Sequence, residues 1–395
     1  MPGIDLSDPD MFATTGGLEE LRELQRNCPV YWNSGAGTGF WALTRYADVV
    51  ELYRSRRQVS SQYGIHVGQL HEADQPARGR MLVQSDRRTH SRMKASLSRA
   101  MTPQALSFLE EPLAETARTV IDEVLQAGKV DFATAVATRM TLTLTGLILG
   151  IPATDREQVS RWTAAAFGSS SGPLPAPEPS QQDVAEANTE LFLYFQQLLH
   201  RPGAGDGVLA RLRADKQENL GLEQILYNAH LLLAGGHETT RQALVGAAST
   251  FISAPEQWQR LRTDRQLLPG AVEEVLRLSA PSLNVMRTAT EGLTIGGTTI
   301  RAGERITAWH PIANRDPSVF PAPDQVDIGR QPNDHLSFGM GSHHCLGAWL
   351  ARLTLTCLLD AMAQRVTQLA PAGDGRRSRS LRTWGYDYLP VTLLS

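Results

Sequence analysis

Apolar residues recur at helical spacing over much of the chain, and the longest such stretch runs over residues 222–252. This stretch is apolar on nearly all sides, which predicts a helix buried in the middle of the fold. The sequence AGGHETTR interrupts it at 234–241. Two glycines in a helix interior cost about 1 kcal/mol each relative to alanine, and a buried acid beside two threonines adds a desolvation cost. This local cost indicates a functional site, with a simple helix kink as the alternative.

The same pattern predicts further helices before and after the central one. Alternation of apolar and polar residues predicts strands at 30–32 and 39–44, further strands within 293–308 that turn at Gly296 and Gly297, and a terminal hairpin at 380–394. The predicted helices cover 17–26, 46–54, 86–100, 132–150, 155–167, 183–200, 206–214, 256–262, 270–279 and a segment from Cys345 to about 363. The expected fold class is therefore mainly α with small β-sheets.

Composition narrows the choice of class and partners. The chain has 395 residues, of which 42% are hydrophobic, so it has ample material for a core. Its length alone allows one large domain or two to three ordinary ones. A formal net charge of -3 argues against nucleic acid as a partner, because phosphate binding needs a basic excess. Three cysteines in a chain of this length do not form a disulfide framework, and they indicate a reducing compartment.

Nothing in the sequence indicates a membrane or an export signal. The N-terminus reads MPGIDLSDPDMF, with acidic residues where a signal peptide carries basic ones. No stretch approaches the ~20 apolar residues that span a bilayer. We therefore expect a cytoplasmic protein that is not bound to a membrane.

Candidate chemistry is concentrated at 335–347, where the sequence reads HLSFGMGSHHCLG. Gly339, Gly341 and Gly347 flank Cys345, and glycine permits positive φ angles and a close approach of the backbone to a flat ligand. A thiolate in such a turn can ligate haem iron. Two alternatives stay open from the residues alone. Cys345 can be a buried small apolar side chain at a helix start.

The second alternative is a zinc site, because His343, His344 and Cys345 are all potential ligands. Adjacent residues rarely converge on one ion, however, and the sequence has no CxxC or HxxxH pattern that would complete such a site.

The chain resembles the cytochrome P-450 family in several motifs. The cysteine-ligand signature of that family matches position for position at Phe338, Gly339, Gly341, His343, Cys345 and Gly347. Three further motifs follow the family's order and spacing, so the resemblance spans nearly the whole chain. It implies a single domain over 1–395, with haem b held between the long central helix and the cysteine loop. Cys345 is then the axial ligand of the iron.

The resemblance gives the central AGGHETTR motif a role in oxygen chemistry. Gly235 and Gly236 match the glycines that let the backbone approach the haem face. Glu238 and Thr239 match the acid and alcohol that deliver protons to bound oxygen, and they are the expected catalytic residues. Thr240 matches a less critical neighbour.

The resemblance also implies which residues hold the cofactor. They are His90, Lys94, Gly235, Arg287, Phe338, His343, Cys345 and Gly347. His90 and Lys94 lie four apart in a basic helix, so both can reach one haem propionate, although a solvated charged face is the alternative. The family usually has arginine at the position of Lys94, and lysine cannot form a bidentate fork.

Exposed cations of the same helix form a basic patch, at Arg87, Arg88, Arg92 and Arg99, that could steer an acidic ferredoxin. Arg87 and Arg88 stand where the family usually has prolines.

Two further segments have implied supporting roles. Glu274 and Arg277 match the family's ExxR element, in which Arg330 is expected to join a buried ion pair that fixes the cysteine loop. At 168–182 the sequence reads GSSSGPLPAPEPSQQ, which breaks helices. It is either a domain linker or, by the resemblance, a mobile lid connection over the substrate cavity.

The resemblance implies a haem-thiolate monooxygenase that uses dioxygen and electrons to hydroxylate or epoxidise an organic substrate. The chain has no flavin or ferredoxin motif, so we expect a separate ferredoxin and ferredoxin reductase, and a monomeric enzyme. We expect a substrate of bacterial secondary metabolism, a polyketide or peptide, free or bound to a carrier protein. An oxidative coupling or ring-closing catalyst shares every motif, whereas a haem-binding sensor or carrier has no use for Glu238 and Thr239.

Overall fold

The computed structural model describes residues 4–14, 16–35, 39–68, 76–167, 180–201 and 207–395. Helices dominate it, as the spacing of apolar residues predicts. They are α1 (Pro9–Phe12), α2 (Gly16–Asn27), α3 (Tyr46–Arg54), α4 (Arg87–Ala100), α5 (Glu110–Ala127), α6 (Arg139–Leu149), α7 (Arg156–Phe167), α8 (Gln181–His200), α9 (Val208–Ala214), α10 (Leu222–Ser253), α11 (Pro255–Thr263), α12 (Leu268–Ser279), α13 (His310–Ala313) and α14 (Ala348–Arg365). Short 3-10 turns lie at Leu82–Gln84, Ser107–Leu109, Arg265–Leu267 and Gly341–His343.

The strands are short and form small sheets. They are β1 (Val30–Asn33), β2 (Phe40–Leu43), β3 (Val59–Ser60), β4 (Lys129–Asp131), β5 (Asn284–Ala289), β6 (Leu293–Ile295), β7 (Thr298–Ile300), β8 (Arg305–Trp309), β9 (Gln368–Pro371), β10 (Arg376–Arg377), β11 (Tyr386–Tyr388) and β12 (Pro390–Leu394). The largest sheet has the order β1-β2-β8-β5-β3, in which only β2 and β8 run parallel. A second has the order β4-β12-β9, and β6-β7 and β10-β11 are two-stranded. The predicted fold class, mainly α with small sheets, is confirmed.

Most predicted helices differ from the structure by one to three residues at their ends, and two predicted elements differ in kind. The helix expected over 132–150 begins as a π-helical segment, Ala133–Thr138, before α6. The terminal hairpin expected at 380–394 is also wrong in its bounds. β10 lies earlier, and β12 pairs instead with β9 and β4. Strand partners that are distant in the chain leave no mark on the local alternation pattern.

The turn predicted at Gly296 and Gly297 is confirmed. It joins β6 to β7, and both glycines have positive φ angles, +56° and +79°. Most other residue types avoid this region for steric reasons.

Helix α10 lies in the middle of the fold and packs against α6, α12 and α14. Its buried residues belong to two apolar clusters, one that includes Leu244, Phe251 and Leu358, and one that includes Leu233 and Leu144. The predicted burial of the central helix is therefore confirmed.

The connection predicted at 168–182 lies mostly outside the described residues, since only 180–182 are among them. Ser180 begins α8 with a capping box, because its Oγ accepts from the Asp183 amide (3.1 Å) and Asp183 accepts from the Ser180 amide (2.9 Å). Mobility of this connection, and a single domain over 1–395, stay predictions. In the described part of the chain, no helix combines the length and apolarity needed to cross a bilayer.

Candidate active site

A cavity lies between α10 and the cysteine loop, residues 335–347. Helix α10 contributes Leu231, Leu232, Gly235, Gly236, Thr239, Thr240 and Ala243 to one wall. The opposite wall is the cysteine loop with the start of α14. Apolar side chains from other segments close it, among them Ile65, Leu82, Val83, Ile148 and Val285.

The cysteine loop is shaped by glycine. Gly339 and Gly341 have φ angles of +64° and +73°, which other residue types rarely adopt. The Cys345 amide donates to the Phe338 carbonyl (2.9 Å), which closes the loop. The Cys345 side chain then faces the cavity. Of the three cysteines, all in the described residues, Cys345 alone lines the cavity.

The thiol of Cys345 is reached from the cavity but is surrounded by protein on its other sides. Burial therefore raises the pKa of the Cys345 thiol. The Gly347 amide, Lys94 and Arg352 act in the opposite direction and offset part of this rise. These three groups favour the thiolate that a metal ligand requires.

Lys94, on α4, reaches the cysteine loop instead of a carboxylate. Its Nζ donates to the carbonyls of Ser342 and of His344, the latter at 3.2 Å. Its side chain lines the cavity beside His90.

His90 and His343 meet at the same end of the cavity, with ring centroids 4.0 Å apart. Burial lowers the pKa of His90 to about 4 and that of His343 to about 2. Nearby cations, Lys94 and Arg287 among them, contribute to both lowered pKa values. Both imidazoles are therefore neutral near pH 7.

Arg287, on β5, completes this end of the cavity. It is buried, and its Nη1 donates to the carbonyl of Met286 (2.8 Å). Among the described residues, no carboxylate forms an ion pair with Arg287 or Lys94. A buried cation without a counter-ion costs several kcal/mol, so this end of the cavity suits an anionic group.

Taken together, the lining fits haem. The Cys345 thiol lies on one wall of the cavity. At one end lie the cations Lys94 and Arg287, which have no carboxylate partner among the described residues, together with the imidazoles of His90 and His343. Apolar side chains line most of the remaining surface. This arrangement matches a flat, mainly apolar group that carries carboxylates at one edge.

The two glycines of α10 differ in their surroundings. A Cβ added at Gly235 would meet nothing within 4 Å, because the position opens toward the cavity. A Cβ at Gly236 would lie 3.2 Å from Thr145 Cγ2, so this glycine also allows α10 to approach α6. Thr239 Oγ1 donates to the Gly235 carbonyl (2.6 Å) and lines the cavity.

Glu238 lies on another side of α10 and is not among the residues that line the cavity. Arg241 Nη2 lies 2.6 Å from Glu238 Oε1, and Gln242 Nε2 donates to the same oxygen (3.0 Å). Burial alone would raise the pKa of Glu238, but the charge and hydrogen bonds of Arg241, with smaller contributions from His237 and Gln242, lower it to about 2. In this arrangement Glu238 is a carboxylate that holds no proton near pH 7.

Arg241 has a second carboxylate partner, Asp387 on β11, at 3.2 Å. Asp387 also accepts from Ser378 Oγ (2.6 Å). Sequence reasoning missed these residues. The i, i+3 spacing of Glu238 and Arg241 was a usable signal, whereas Asp387 is 146 positions away from Arg241.

The predicted ExxR ion pair is present and buried. Arg277 Nη2 lies 2.8 Å from Glu274 Oε1, and both side chains are 0% exposed. Arg330 Nε lies 3.3 Å from Glu274, as expected, and Asn333 Nδ2 donates to it at 3.1 Å. Burial raises the pKa of Glu274, but Arg277 and the other donors outweigh it and hold the pKa below its usual range. The pair fixes the segment that leads into the cysteine loop.

Sequence reasoning also missed Tyr53 and His310, which line the cavity from α3 and α13. The Tyr53 hydroxyl lies 2.5 Å from His310 Nε2, and His310 Nδ1 lies 3.0 Å from the Ser282 carbonyl. A carbonyl only accepts, so Nδ1 carries the proton and Nε2 accepts from Tyr53.

Two cations of the basic patch of α4 have polar partners, of which only Asp215 carries a charge. Arg99 pairs with Asp215 (2.6 Å), and Arg92 Nη2 donates to the Gln224 side chain (2.9 Å).

Comparison with known proteins identifies the family. The family model described as cytochrome P450 matches residues 196–380. Over 397 residues, the chain is 33% identical to cytochrome P-450 NovI of Streptomyces niveus, an alignment that covers 99% of this chain and 96% of NovI. The chain belongs to the cytochrome P-450 family. Proteins of this family bind haem through a cysteine thiolate, so this P-450 is a haem-dependent oxidoreductase with monooxygenases among its relatives.

Solved structures agree with this assignment. Cytochrome P-450 OxyD, which is involved in the biosynthesis of vancomycin-type antibiotics, is 31% identical with a TM-score of 0.88, and the match covers 100% of both chains. P450BioI, in complex with an acyl carrier protein that bears hexadec-9Z-enoic acid, is 28% identical with a TM-score of 0.84 over 95% of this chain and 98% of that one.

Proposed function

We propose that this P-450 hydroxylates or epoxidises an organic substrate, and that Cys345 is the residue that would ligate the haem iron. The chemistry that haem supplies when bound is the reductive activation of dioxygen, and a thiolate ligand favours cleavage of the O–O bond. The observation that carries the proposal is the placement of Cys345. Of the three cysteines, all described, it alone faces the cavity, and Thr239 on α10 forms part of the opposite wall.

His90, Lys94, Arg287 and His343 are the residues that would hold the haem carboxylates. Arg287 is already buried and in place, whereas Lys94 must exchange the carbonyls of the cysteine loop for a carboxylate, or hold both. Phe338, Gly235 and Gly347 line the cavity where a flat group would press against the backbone.

Thr239 and Glu238 would provide the proton path. The Thr239 hydroxyl is at the cavity wall and donates to the Gly235 carbonyl (2.6 Å). To pass a proton on, Glu238 must leave Arg241, because the pKa of about 2 in this ion pair leaves the carboxylate unprotonated. Away from Arg241 one carboxylate oxygen can take up a proton and donate it toward the Thr239 hydroxyl, which hands its own proton to the cavity.

The substrate proposed is a polyketide or peptide of bacterial secondary metabolism. The similarity to NovI and OxyD supports this class, and the similarity to P450BioI supports a substrate bound to a carrier protein. Apolar side chains such as Leu82, Val83 and Leu232 suit a substrate with a large hydrocarbon part.

A separate ferredoxin and ferredoxin reductase would supply electrons in the cytoplasm. Arg87 and Arg88 are exposed at the start of α4 and would attract an acidic partner.

The test is the ferrous carbon monoxide spectrum. Wild-type protein should give the red-shifted Soret band of thiolate ligation, and Cys345→Ser should abolish it. Cys357→Ser is the matched control, because Cys357 does not line the cavity, and it should keep the band. A wild-type protein that binds haem without this band would contradict the assignment of Cys345.

A further inference from the structure

Asn228 is a buried polar residue in the first part of α10 that no step above uses. Its side chain is 0% exposed, and it is not among the cavity-lining residues. A carboxamide buried in a mainly apolar helix is costly unless its hydrogen bonds are satisfied. The partners of Asn228 therefore indicate what the residue does.

Two of those partners, Leu82 and Arg80, lie on a segment that is distant in the chain. Asn228 Oδ1 accepts from the Leu82 amide (2.9 Å), and Nδ2 donates to the Arg80 carbonyl (3.1 Å) and to the Gln224 carbonyl of its own helix (2.7 Å). The Leu82 amide is a donor and both carbonyls are acceptors, so the orientation of the carboxamide is fixed by its partners.

The segment that Asn228 binds forms part of the cavity wall. Leu82 and Val83 line the cavity from a short 3-10 turn that lies just before α4. The backbone bonds of this turn are local, such as Gln84 amide to Met81 carbonyl (3.1 Å). Such bonds shape the turn but do not set its distance from α10. Asn228 contributes to that distance, because it bonds the turn directly to the central helix.

Other contacts of this segment with α10 are weaker. Arg80 Nε lies 3.0 Å from Glu223, but both side chains are largely exposed, and exposed pairs contribute little. Gln224 Nε2 lies 3.5 Å from the Gly79 carbonyl, at the limit of a hydrogen bond. Among the polar contacts between this segment and α10, the bonds of Asn228 therefore dominate, and Leu82 also packs in the apolar cluster that includes Leu233.

We propose that Asn228 is a specificity-determining positioning residue, which sets how far Leu82 and Val83 project into the substrate cavity without touching the substrate itself. This proposal rests on the proposed function, because it requires that the cavity binds haem and an organic ligand. Its consequence is that Asn228 controls the affinity for bulky ligands relative to small ones.

The first test is hydrogen exchange, measured by mass spectrometry on fragments that resolve the Leu82 amide. Asn228→Leu and Asn228→Ala remove the acceptor. Leu82 exchange should become about fivefold faster in a folded variant, the factor expected for one lost hydrogen bond. Asn188→Leu is the matched control, because Asn188 also bonds a residue of α10, His230 (2.7 Å), but not this segment. Unchanged Leu82 exchange in either folded Asn228 variant would overturn the proposal.

The second test compares two probes of different size, imidazole and 4-phenylimidazole, by absorbance titration of the haem-loaded protein. The ratio of their Kd values should change by about fivefold in the Asn228 variants, because the phenyl ring of the larger probe occupies more of the cavity that Leu82 and Val83 line. The ratio should stay constant in Asn188→Leu. An equal change for both probes, or no change, would refute the role in specificity.

Failure of the proposed function would look different, since the ferrous carbon monoxide complex of the wild-type protein would then lack the red-shifted Soret band. In the wild-type protein, the Leu82 amide should be protected from hydrogen exchange, because it donates to the buried Asn228 side chain. Rapid exchange there would also overturn the proposal.

Discussion

Arg241 holds Glu238 on a side of α10 that does not line the cavity. The two residues are three positions apart in the helix, and Arg241 Nη2 lies 2.6 Å from Glu238 Oε1. The Arg241 side chain is only 4% exposed and the Glu238 side chain 16%. Arg241 is also bound by Asp387, so it keeps a counter-ion if Glu238 moves away. A buried guanidinium left without any partner would cost several kcal/mol. The second partner therefore lowers the cost of releasing Glu238.

The Glu238–Arg241 pair should make stability depend on pH. The pKa of Glu238 is about 2 in the folded protein and 4.5 as an ordinary value. A carboxyl whose folded pKa is lowered stabilises the fold above the unfolded pKa, and this contribution is lost as pH falls from about 4.5 toward 2. Wild-type protein should exceed Glu238→Gln in free energy of unfolding by up to about 3 kcal/mol at pH 6, and the difference should shrink by pH 3.

Urea unfolding followed by tryptophan fluorescence measures this difference. Glu256→Gln, at an exposed position, is the control and should differ little from wild type at any pH. A difference between wild type and Glu238→Gln that stays constant from pH 6 to pH 3 would show that the ion pair does not lower the pKa of Glu238.

Thr239→Ala should separate electron use from product formation. The variant removes the hydroxyl at the cavity wall but no group proposed to hold haem, so haem and substrate should still bind. Product formed per electron pair should fall by about tenfold or more, with peroxide in its place, because the proton path is broken. Oxygen uptake, peroxide and product are measured together with a surrogate ferredoxin. Thr240→Ala, on the same wall, should have a smaller effect, and equal coupling in both variants would count against Thr239.

Arg287→Met should weaken haem retention. Removing a charge-assisted hydrogen bond to a haem carboxylate should speed haem loss by about tenfold or more, as measured by transfer to excess apomyoglobin. The haem-free variant should unfold at no lower urea concentration than haem-free wild type, because the substitution removes a buried cation that has no carboxylate partner among the described residues. Arg305→Met, on the neighbouring strand β8, is the control. Haem loss at the wild-type rate from Arg287→Met would exclude this role.

The spacing of residues in the sequence predicts the structure correctly where the interacting residues are close to each other in the chain. Glu274 and Arg277 share one helix face because they are three residues apart, and the structure pairs them at 2.8 Å. Gly339 and Gly341 indicated a turn, and both have positive φ angles. The burial of α10 followed from the apolar residues on nearly all of its sides. Each of these features depends on local geometry that is the same in any fold.

The sequence by itself determined the helical fold class, the central buried helix and the family that Cys345 and its loop indicate. Only the tertiary structure decided that Glu238 binds Arg241 and Asp387, that Lys94 reaches the carbonyls of the cysteine loop, and that Asn228 holds the Leu82 amide. The reason is physical. Helix and turn geometry is set by residues a few positions apart, whereas the direction of a polar side chain depends on which distant donors and acceptors the packing of the chain places beside it.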